Sequence, residues 1–368
     1  MSGCQIVLVG GARPNFMKLA PVIRALAQLD GVSSRLVHTG QHYDEGMSDV
    51  FFEQLGLPAP DAYLSVGSGP HGAQTGRVMI AFEEYLQSRP EPSGVVVVGD
   101  VNSTAACALT AVKMGIPVAH VEAGLRSFDR TMPEEINRLV TDAVSDVLFV
   151  SEPSGEENLR REGIPRERVR YVGNVMIDTL IHELDAARSM NVTAQFDLQR
   201  GAFALVTLHR PSNVDHVDHL RPIVDFLIDL AHLSTVVLPL HPRTRARLAE
   251  FRLLEALERS GVRPMPPIGY REMLGLMEAA RVIITDSGGI QEEATYLNVP
   301  CLTLRENTER PATMTHGTNT LVGRDLSVAR QALELIARGE YKRARPIAGW
   351  DGRAAERIAK SLSDAWRR

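Results

Sequence analysis

The chain has 368 residues, 44% of them hydrophobic and 23% charged, which is the balance of an ordinary globular protein. A chain of this length usually forms two domains. Its formal net charge of −5 argues against a nucleic-acid or acidic-membrane partner, so any anion site has to be built locally. The three cysteines, Cys4, Cys107 and Cys301, stand far apart, which argues against a disulfide framework or a cysteine zinc site. No basic region followed by a long apolar run opens the chain, so we expect a cytoplasmic protein.

Short β-branched runs alternate with amphipathic stretches along the chain. The predicted strands cover 5–9, 34–39, 94–99, 116–121, 146–151, 169–172, 203–208, 234–240, 262–266, 281–286 and 299–304. The predicted helices include 17–29, 70–88, 102–114, 153–163, 217–232, 243–259 and 288–297. This alternation predicts an α/β fold in which helices cover both faces of parallel sheets.

The alternation pauses over 173–200, where a helix and a polar stretch separate the two sets of strands. We therefore predict an N-terminal domain over 1–172 and a C-terminal domain over 173–351. A helix at the end of the chain, 352–368, is expected to join the N-terminal domain.

Polar residues follow five apolar runs at the points where predicted strands end. They are Asp100, Glu122, His209, His241 and Asp286. Each alone has a simpler explanation as a helix cap or loop residue. In open parallel sheets, however, ligands bind outside the carboxyl ends of the strands. Their occurrence in both halves predicts one site assembled from two Rossmann-like domains at a central cleft.

Two glycine turns predict binding of a phosphate or diphosphate. The first, at 10–18, follows a strand, opens a helix and adds the cations Arg13 and Lys18. It lacks the third glycine of a dinucleotide-binding turn, and a tight turn with solvated charges is the alternative interpretation.

The second turn, Ser287-Gly288-Gly289, stands where another helix begins, and its N–H groups suit a diphosphate. Glu293, two turns into that helix, is placed to accept hydrogen bonds from a ribose diol. Arg310 is a further cation for the same anion. A capped helix with surface acids is the alternative.

The segment that begins at Pro133 reads as a helix start, which by itself explains Glu134 and Glu135. Glu134 becomes a catalytic candidate only through its proximity in sequence to Glu122 and Asp100. Arg138 is a candidate substrate contact, and an ordinary i,i+4 ion pair with Glu134 is the alternative. No Asp-x-Asp pair occurs, so we predict no metal.

Five segments resemble the non-hydrolysing UDP-N-acetylglucosamine 2-epimerases. They are GARPNFMKLAPVI (11–23), GDVNSTAA (99–106), HVEAGLRSFDRTMPEEINR (120–138), TDSGGIQEEA (285–294) and ENTERPATMTHGTN (306–319). The segments occur in the family's order over nearly the whole chain, which makes the resemblance specific.

The resemblance implies a glycosyltransferase-B-like fold, a homodimer and a site without metal or nicotinamide. It implies inversion at C2 by elimination of UDP to a glycal and re-addition, usually to supply cell-surface polysaccharide precursors. The family's carboxylates fall on Asp100, Glu122 and Glu134, and its histidines on His209 and His241. Its phosphate and uridine contacts fall on Arg13, Lys18, Ser287, Gly288, Gly289, Glu293 and Arg310.

The sequence also departs from the family pattern. Ala12 and Asn15 replace a threonine and a glutamate of the first motif. Many bacterial members have a second site where substrate activates the enzyme; Gln41, Gln74 and Arg210 match it, and two other positions do not. Activation by substrate and the identity of the sugar are therefore left open, with UDP-diacetamido-glucuronic acid as the nearest alternative.

Three other functions compete with epimerisation. A glycosyltransferase of the same fold would use the same nucleotide-binding half. A hydrolysing epimerase would release UDP and free N-acetylmannosamine. A UDP-sugar sensor without activity would keep Ser287, Glu293 and Arg310 but would not need the carboxylates.

Overall fold

The computed structural model describes residues 4–41 and 52–367. The chain divides into two units, Met1–Thr179 with Ile347–Arg368, and Leu180–Pro346. The division falls inside the helix Val175–Ser189 rather than near 172. A continuous helix has no composition change at such a point, so the sequence did not mark it. We refer to the two parts as unit 1 and unit 2.

The strands of unit 1 pair in parallel in the order β3-β2-β1-β4-β5-β6-β7. They are β1 Cys4–Gly10, β2 Val32–His38, β3 Ala62–Tyr63, β4 Gly94–Val98, β5 Val118–Ala123, β6 Val147–Val150 and β7 Val169–Tyr171. The helices are α1 Arg13–Leu26, α2 His71–Gln87, α3 Asn102–Lys113, α4 Pro133–Val144, α5 Pro153–Arg161 and, reaching into unit 2, α6 Val175–Ser189.

The strands of unit 2 pair in parallel in the order β10-β9-β8-β11-β12-β13. They are β8 Phe203–Thr207, β9 Thr235–Pro239, β10 Val262–Met265, β11 Val282–Thr285, β12 Cys301–Thr303 and β13 Asn319–Leu321. The helices are α7 Val192–Gln195, α8 Pro211–Val214, α9 Val217–Ala231, α10 Pro242–Glu250, α11 Leu254–Arg259, α12 Tyr270–Ala279, α13 Gly288–Tyr296, α14 Pro311–Thr315 and α15 Leu326–Arg338. The last helix of the chain, α16 Ala354–Trp366, belongs to unit 1.

Both sheets reverse their strand order beside the first strand of the unit. In unit 1 the reversal lies between β1 and β4, and in unit 2 between β8 and β11. Open α/β sheets bind ligands at such switch points, outside the carboxyl ends of the strands. The predicted α/β class with two Rossmann-like domains is confirmed.

The central strands are apolar because helices cover both of their faces. Val95–Val98 in β4 is at most 1% exposed, and β8 is buried along its whole length. These rigid strands fix the backbone that leads into the turns after β4, β5, β8 and β11.

The C-terminal helix α16 is anchored in unit 1 by a buried carboxylate. Asp178 accepts hydrogen bonds from the backbone N–H groups of Ala354, at 3.2 Å, and Ala355, at 2.7 Å. At the other end of the helix, the Trp366 ring lies against Gly94, where a Cβ atom would approach it to 2.6 Å. No helix in the part of the chain that the structure describes is long and apolar enough to cross a bilayer.

Several elements differ from the sequence-based expectation. The predicted helix 243–259 is two helices, α10 and α11, because Arg252 between them takes a left-handed φ of 57°. The strands β3 and β13 were not predicted, since two or three residues are too few for an alternating pattern. The helices α12 and α15 were not among those predicted either.

We expect Asp178→Asn to lower the free energy of unfolding by about 1–3 kcal/mol, because an amide oxygen replaces only one of the two acceptors. Asp364→Asn, an exposed change on α16, is the control and should leave stability unchanged. Equilibrium denaturation in urea measures both. If the two variants are equally stable, the hydrogen bonds that Asp178 accepts from Ala354 and Ala355 do not anchor α16.

Candidate functional site

The turn after β4 presents Asp100, which is held by helix α4. The side chain of Asp100 is 29% exposed, and its Oδ2 accepts a 2.5 Å hydrogen bond from Nη1 of Arg138. The Asn137 amide donates to the Asp100 carbonyl oxygen at 2.9 Å. Arg138 is buried and also binds Glu135 at 2.6 Å, so one guanidinium bridges two carboxylates. Asp100 thus has a fixed counter-ion and a partly open face.

Glu122, the penultimate residue of β5, has an unusual backbone conformation. Its φ is 73°, and the register between β5 and β6 shifts at this point, as in a β-bulge. Such a conformation costs energy in a residue other than glycine and is common at functional sites. The side chain is 6% exposed and forms a buried ion pair with Lys18. The neighbouring turn needs Gly99, since a Cβ there would lie 3.4 Å from the Glu122 carboxylate and 3.2 Å from Nζ of Lys18.

Glu134 lies in the first turn of α4 and is partly exposed. Residues three and four apart share one helix face, so Glu134 lies on the face that carries Asn137 and Arg138. Because those two residues bind Asp100, unit 1 gathers Asp100 and Glu134 at one edge of its sheet. Glu122, which is ion-paired with Lys18, belongs to the same group of strand ends.

The turn after β1 differs from the predicted phosphate loop. The Asn15 side chain accepts hydrogen bonds from the N–H groups of Gly11, at 3.1 Å, and Ala12, at 3.0 Å. Its own amide donates to the Val98 carbonyl oxygen at 3.1 Å, which ties this turn to β4. The amides that the sequence suggested for an anion are therefore engaged by Asn15. Arg13 is exposed, whereas Lys18 is a buried partner of Glu122 rather than a surface cation.

In unit 2, His209 follows β8 and pairs with Asp286, which follows β11. The Nδ1 atom of His209 lies 2.8 Å from Oδ1 of Asp286, which is fully buried. Asp286 also accepts from the backbone N–H groups of His209, at 3.1 Å, and Arg210, at 2.9 Å. Burial acts to raise the pKa of Asp286, but these donors together hold it below its usual range. The carboxylate therefore orients the imidazole, which is 37% exposed.

His241 lies beside His209, with ring centroids 5.7 Å apart. Its Nδ1 atom accepts the backbone N–H of Arg243, so it caps helix α10. Burial, the neighbouring His209 and Arg243 lower the pKa of His241. Two histidines thus occupy adjacent strand ends of unit 2, one of them paired with a carboxylate.

The Ser287-Gly288-Gly289 turn opens helix α13, as the sequence predicts. The Ser287 side chain makes no capping hydrogen bond with this helix, so it leaves the first-turn N–H groups to another acceptor. A Cβ at Gly288 would lie 2.7 Å from the Arg310 guanidinium, so glycine permits their close approach. Arg310 is buried and paired with Glu292 at 3.0 Å and with Glu309. The helix dipole and the adjacent guanidinium both favour an anion at this turn.

Glu293 is buried in α13 and receives a 2.7 Å hydrogen bond from the Tyr270 hydroxyl. Burial raises the pKa of Glu293 to about 7, with Tyr270 opposing the shift and Glu292 adding to it. Burial also raises the pKa of Tyr270, so the phenol remains the donor. The carboxyl group that the sequence assigned to a ribose diol is therefore oriented by a tyrosine that the sequence did not single out.

The residues matched to an activator site are divided between the two units. The Gln41 side chain accepts from Ser103 at 2.8 Å. The Gln74 amide donates to two carbonyl oxygens and accepts from Asn102 at 2.8 Å. Both glutamines are buried and belong to unit 1, whereas Arg210 belongs to unit 2. Their role in activation stays a prediction.

Tyr270 and the role of Asp286 were missed by the sequence analysis. Each lies inside a helix or at a strand end, and its importance depends on contacts distant in sequence. Among residues 4–41 and 52–367, no group of three or more His, Cys, Asp or Glu side chains is arranged to hold a metal ion.

Comparison with known proteins gives a consistent result. A family model described as UDP-N-acetylglucosamine 2-epimerase matches residues 24–363. The UDP-N-acetylglucosamine 2-epimerase of Methanocaldococcus jannaschii is 42% identical over 98% of this chain and 99% of its own. The UDP-2,3-diacetamido-2,3-dideoxy-D-glucuronate 2-epimerase of Pseudomonas aeruginosa is also 42% identical, over 98% of this chain and 99% of its own.

Solved structures agree with these relatives. The crystal structure of the M. jannaschii UDP-GlcNAc 2-epimerase in complex with UDP-GlcNAc and UDP matches with a TM-score of 0.90 and 43% identity, over 98% of this chain and 99% of that one. A UDP-glucosyltransferase from Polygonum tinctorium matches with a TM-score of 0.60 and 12% identity over 100% of this chain and 99% of that one, a likeness of fold alone. The resemblance read from the sequence motifs is confirmed: the chain belongs to the UDP-N-acetylglucosamine 2-epimerase family, a family of isomerases.

Proposed function

We propose that the protein interconverts UDP-N-acetylglucosamine and UDP-N-acetylmannosamine by eliminating UDP and adding it back. A base removes the C2 proton while the C1–O bond breaks, and UDP departs to leave a glycal. UDP then returns to C1, and an acid delivers a proton to the opposite face of C2. The observation that carries the proposal is a set of three carboxyl groups in unit 1: Asp100 and Glu122 at the ends of strands, and Glu134 in the first turn of α4.

The carboxylates fit proton transfer because the C2 proton of a 2-acetamido sugar is barely acidic. Its removal needs a positioned base and concerted loss of the leaving group. Asp100 and Glu122 are each fixed by one cation, Arg138 and Lys18 respectively. Glu134 lies on the helix face that binds Asp100. Inversion uses both faces of the sugar, which is a reason for more than one carboxyl group.

Unit 2 supplies what a departing UDP requires. The N–H groups at the start of α13 and the adjacent Arg310 stabilise the growing negative charge on the diphosphate. Glu293 accepts the ribose hydroxyls. In this proposal His209, which Asp286 orients, donates a hydrogen bond from Nε2 to the diphosphate.

UDP-2,3-diacetamido-glucuronic acid is the second candidate substrate. A relative named for that sugar and one named for UDP-N-acetylglucosamine are both 42% identical to the chain. The same C2 chemistry serves both sugars, so the candidate residues stay the same. Comparing kcat/KM for the two UDP-sugars decides between them.

Incubation with UDP-N-acetylglucosamine in deuterated water, followed by NMR, tests the reaction. We expect deuterium at C2 and formation of the manno isomer with UDP still attached. Release of free N-acetylmannosamine would instead indicate a hydrolysing enzyme. Absence of exchange with either UDP-sugar would leave a transferase or a sensor and would refute the proposal.

Asp100→Asn should lower kcat by about 10²–10⁴-fold, because the amide cannot take up a proton. UDP affinity, measured by calorimetry, should stay within twofold because the proposed UDP contacts lie in unit 2. Asp30→Asn, an exposed change in unit 1, is the control and should keep full activity. Unchanged turnover in Asp100→Asn would remove Asp100 from the mechanism.

Binding of UDP-N-acetylglucosamine should weaken by about tenfold between pH 8 and pH 6. The pKa of Glu293 is raised to about 7, so the carboxylate that accepts the ribose hydroxyls becomes protonated over this range. The diphosphate of a UDP-sugar does not titrate between pH 6 and pH 8, so a change in affinity measured by calorimetry comes from the protein. Glu293→Gln is the matched control and should bind weakly at both pH values. An equal pH dependence in this variant would assign the effect to another group.

We propose that the protein is a homodimer that uses the face formed by α2, α3 and α4. These helices pack side by side, and they leave Ile80 61% exposed and Ile136 and Val140 each 37% exposed. A groove between α2 and α3 is lined by Ile80 together with Glu83 and Lys113. Opposite charges within one patch are self-complementary across a twofold axis, which favours a second copy as the partner.

Light scattering after gel filtration tests the dimer. The protein should elute with twice the mass of one chain, and Ile80→Glu should shift it towards the monomer. Leu233→Glu is the control, since Leu233 is 86% exposed in unit 2 and should not affect assembly. A monomeric wild-type protein, or a dimer that Ile80→Glu leaves intact, would overturn this interface.

A further inference from the structure

His120 in β5 lies inside unit 1, with both ring nitrogens facing hydrogen-bond acceptors. It is fully buried. Nε2 lies 2.8 Å from the Gly99 carbonyl oxygen, and Nδ1 lies 2.6 Å from Oδ1 of Asp142 in α4. A carbonyl oxygen can only accept, so Nε2 donates to Gly99. An ionised carboxylate also only accepts, so Nδ1 donates to Asp142. The ring therefore carries a hydrogen on each nitrogen.

Asp142 uses its other oxygen to hold a second turn. Its Oδ2 accepts the backbone N–H of Gly124 at 3.0 Å and lies 2.7 Å from the buried Arg126 guanidinium. Burial acts to raise the pKa of Asp142, but His120 and Arg126 together hold it below its usual range. Arg126 in turn binds Glu162 at 2.7 Å, so two cations face two carboxylates. His120, Arg126 and Asp142 are buried in this group, whereas the Glu162 side chain is 32% exposed.

The hydrogen bonds of His120 and Asp142 reach the two turns that carry the candidate catalytic carboxylates Asp100 and Glu122. Gly99 directly precedes Asp100, and Gly124 lies two residues after Glu122. All three of Gly99, Glu122 and Gly124 have positive φ, at 69°, 73° and 80°. For Glu122 this conformation is unfavourable and persists only where the surroundings enforce it. One buried carboxylate therefore secures both turns, directly at Gly124 and through His120 at Gly99.

We propose that Asp142 and His120 form a positioning pair that sets the relative placement of Asp100 and Glu122 for proton transfer at C2. Neither residue touches the sugar; both act through the backbone of the turns. The inference rests on the proposed role of Asp100 and Glu122 as proton-transfer groups.

The amide of Asp142→Asn cannot replace the carboxylate. One of its two ends is an NH₂ group, which would face either the Nδ1–H of His120 or the N–H of Gly124. When the NH₂ group faces Gly124, that turn loses its hydrogen bond. When it faces His120, the ring must release its Nδ1 hydrogen to accept from the amide, so the charge-assisted contact that holds the ring is lost. His120→Phe keeps a ring in place but removes both N–H donors. The Gly99 carbonyl oxygen and Oδ1 of Asp142 then lose the hydrogen bonds that His120 donates. Displacements of about 1 Å in a catalytic group reduce turnover by about 10²-fold.

Kinetics of the full-length enzyme test the pair. Asp142→Asn and His120→Phe should each lower kcat and the rate of C2 deuterium uptake by about 10–100-fold, while UDP affinity stays within twofold. Asp178→Asn is the matched control, because it replaces another buried carboxylate of unit 1 that accepts two backbone N–H groups. It should lose stability but keep kcat at temperatures where it is folded. If Asp178→Asn loses as much turnover as Asp142→Asn, the effect is one of stability and the positioning role is wrong.

A spectroscopic measurement tests the geometry without relying on activity. The ¹⁵N chemical shifts of His120 in the wild-type protein should show a hydrogen on both ring nitrogens, and Asp142→Asn should change the Nδ1 shift. A ring with one unprotonated nitrogen would overturn the pair. The experiments distinguish a wrong positioning role from a wrong proposed function. Wild-type exchange at C2 together with full turnover in Asp142→Asn and His120→Phe rejects only the pair, whereas no exchange in the wild type rejects the function on which it rests.

Discussion

The placement of polar groups depends on one constraint: each sheet is parallel and reverses its strand order beside its first strand. The carboxyl ends of β4 and β5 therefore deliver Asp100 and Glu122 to one edge of unit 1. The same topology in unit 2 brings His209 and Asp286 together, although 77 positions separate them in the chain. Buried valine-rich strands make these positions rigid, because no neighbouring helix can move without disrupting close packing.

The two units also differ in how their charged groups are paired. In unit 1 the candidate carboxylates Glu122 and Asp100 each have a fixed cation, Lys18 and Arg138 respectively. Unit 2 offers N–H donors to an anion at the start of α13, next to Arg310, which is itself paired with Glu292 and Glu309. A reaction that moves a proton at one carbon and releases a diphosphate from the next needs both kinds of environment. This division of chemistry is the physical basis of the proposed mechanism.

Much of the fold was predictable because strand and helix periodicities are strong in a doubly wound protein. The motif residues Ser287 and Glu293 could also be placed, since they follow an apolar strand closely in sequence. The sequence did not show that Asn15 engages the N–H groups of Gly11 and Ala12. Nor did it show the left-handed backbone of Glu122, which arises from a shift in strand register. Such features depend on contacts between residues far apart in the chain, and no local pattern encodes them.

The account claims that loss of the C2 proton and departure of UDP are parts of one reaction. Positional isotope exchange tests this most directly, with ¹⁸O placed in UDP-N-acetylglucosamine between C1 and the β-phosphorus. If the C1–O bond breaks, the label should move to a non-bridging position of the β-phosphate in the wild-type enzyme, and Asp100→Asn should suppress the movement together with deuterium uptake. Deuterium entering C2 while all of the ¹⁸O stays in the bridge would contradict elimination of UDP.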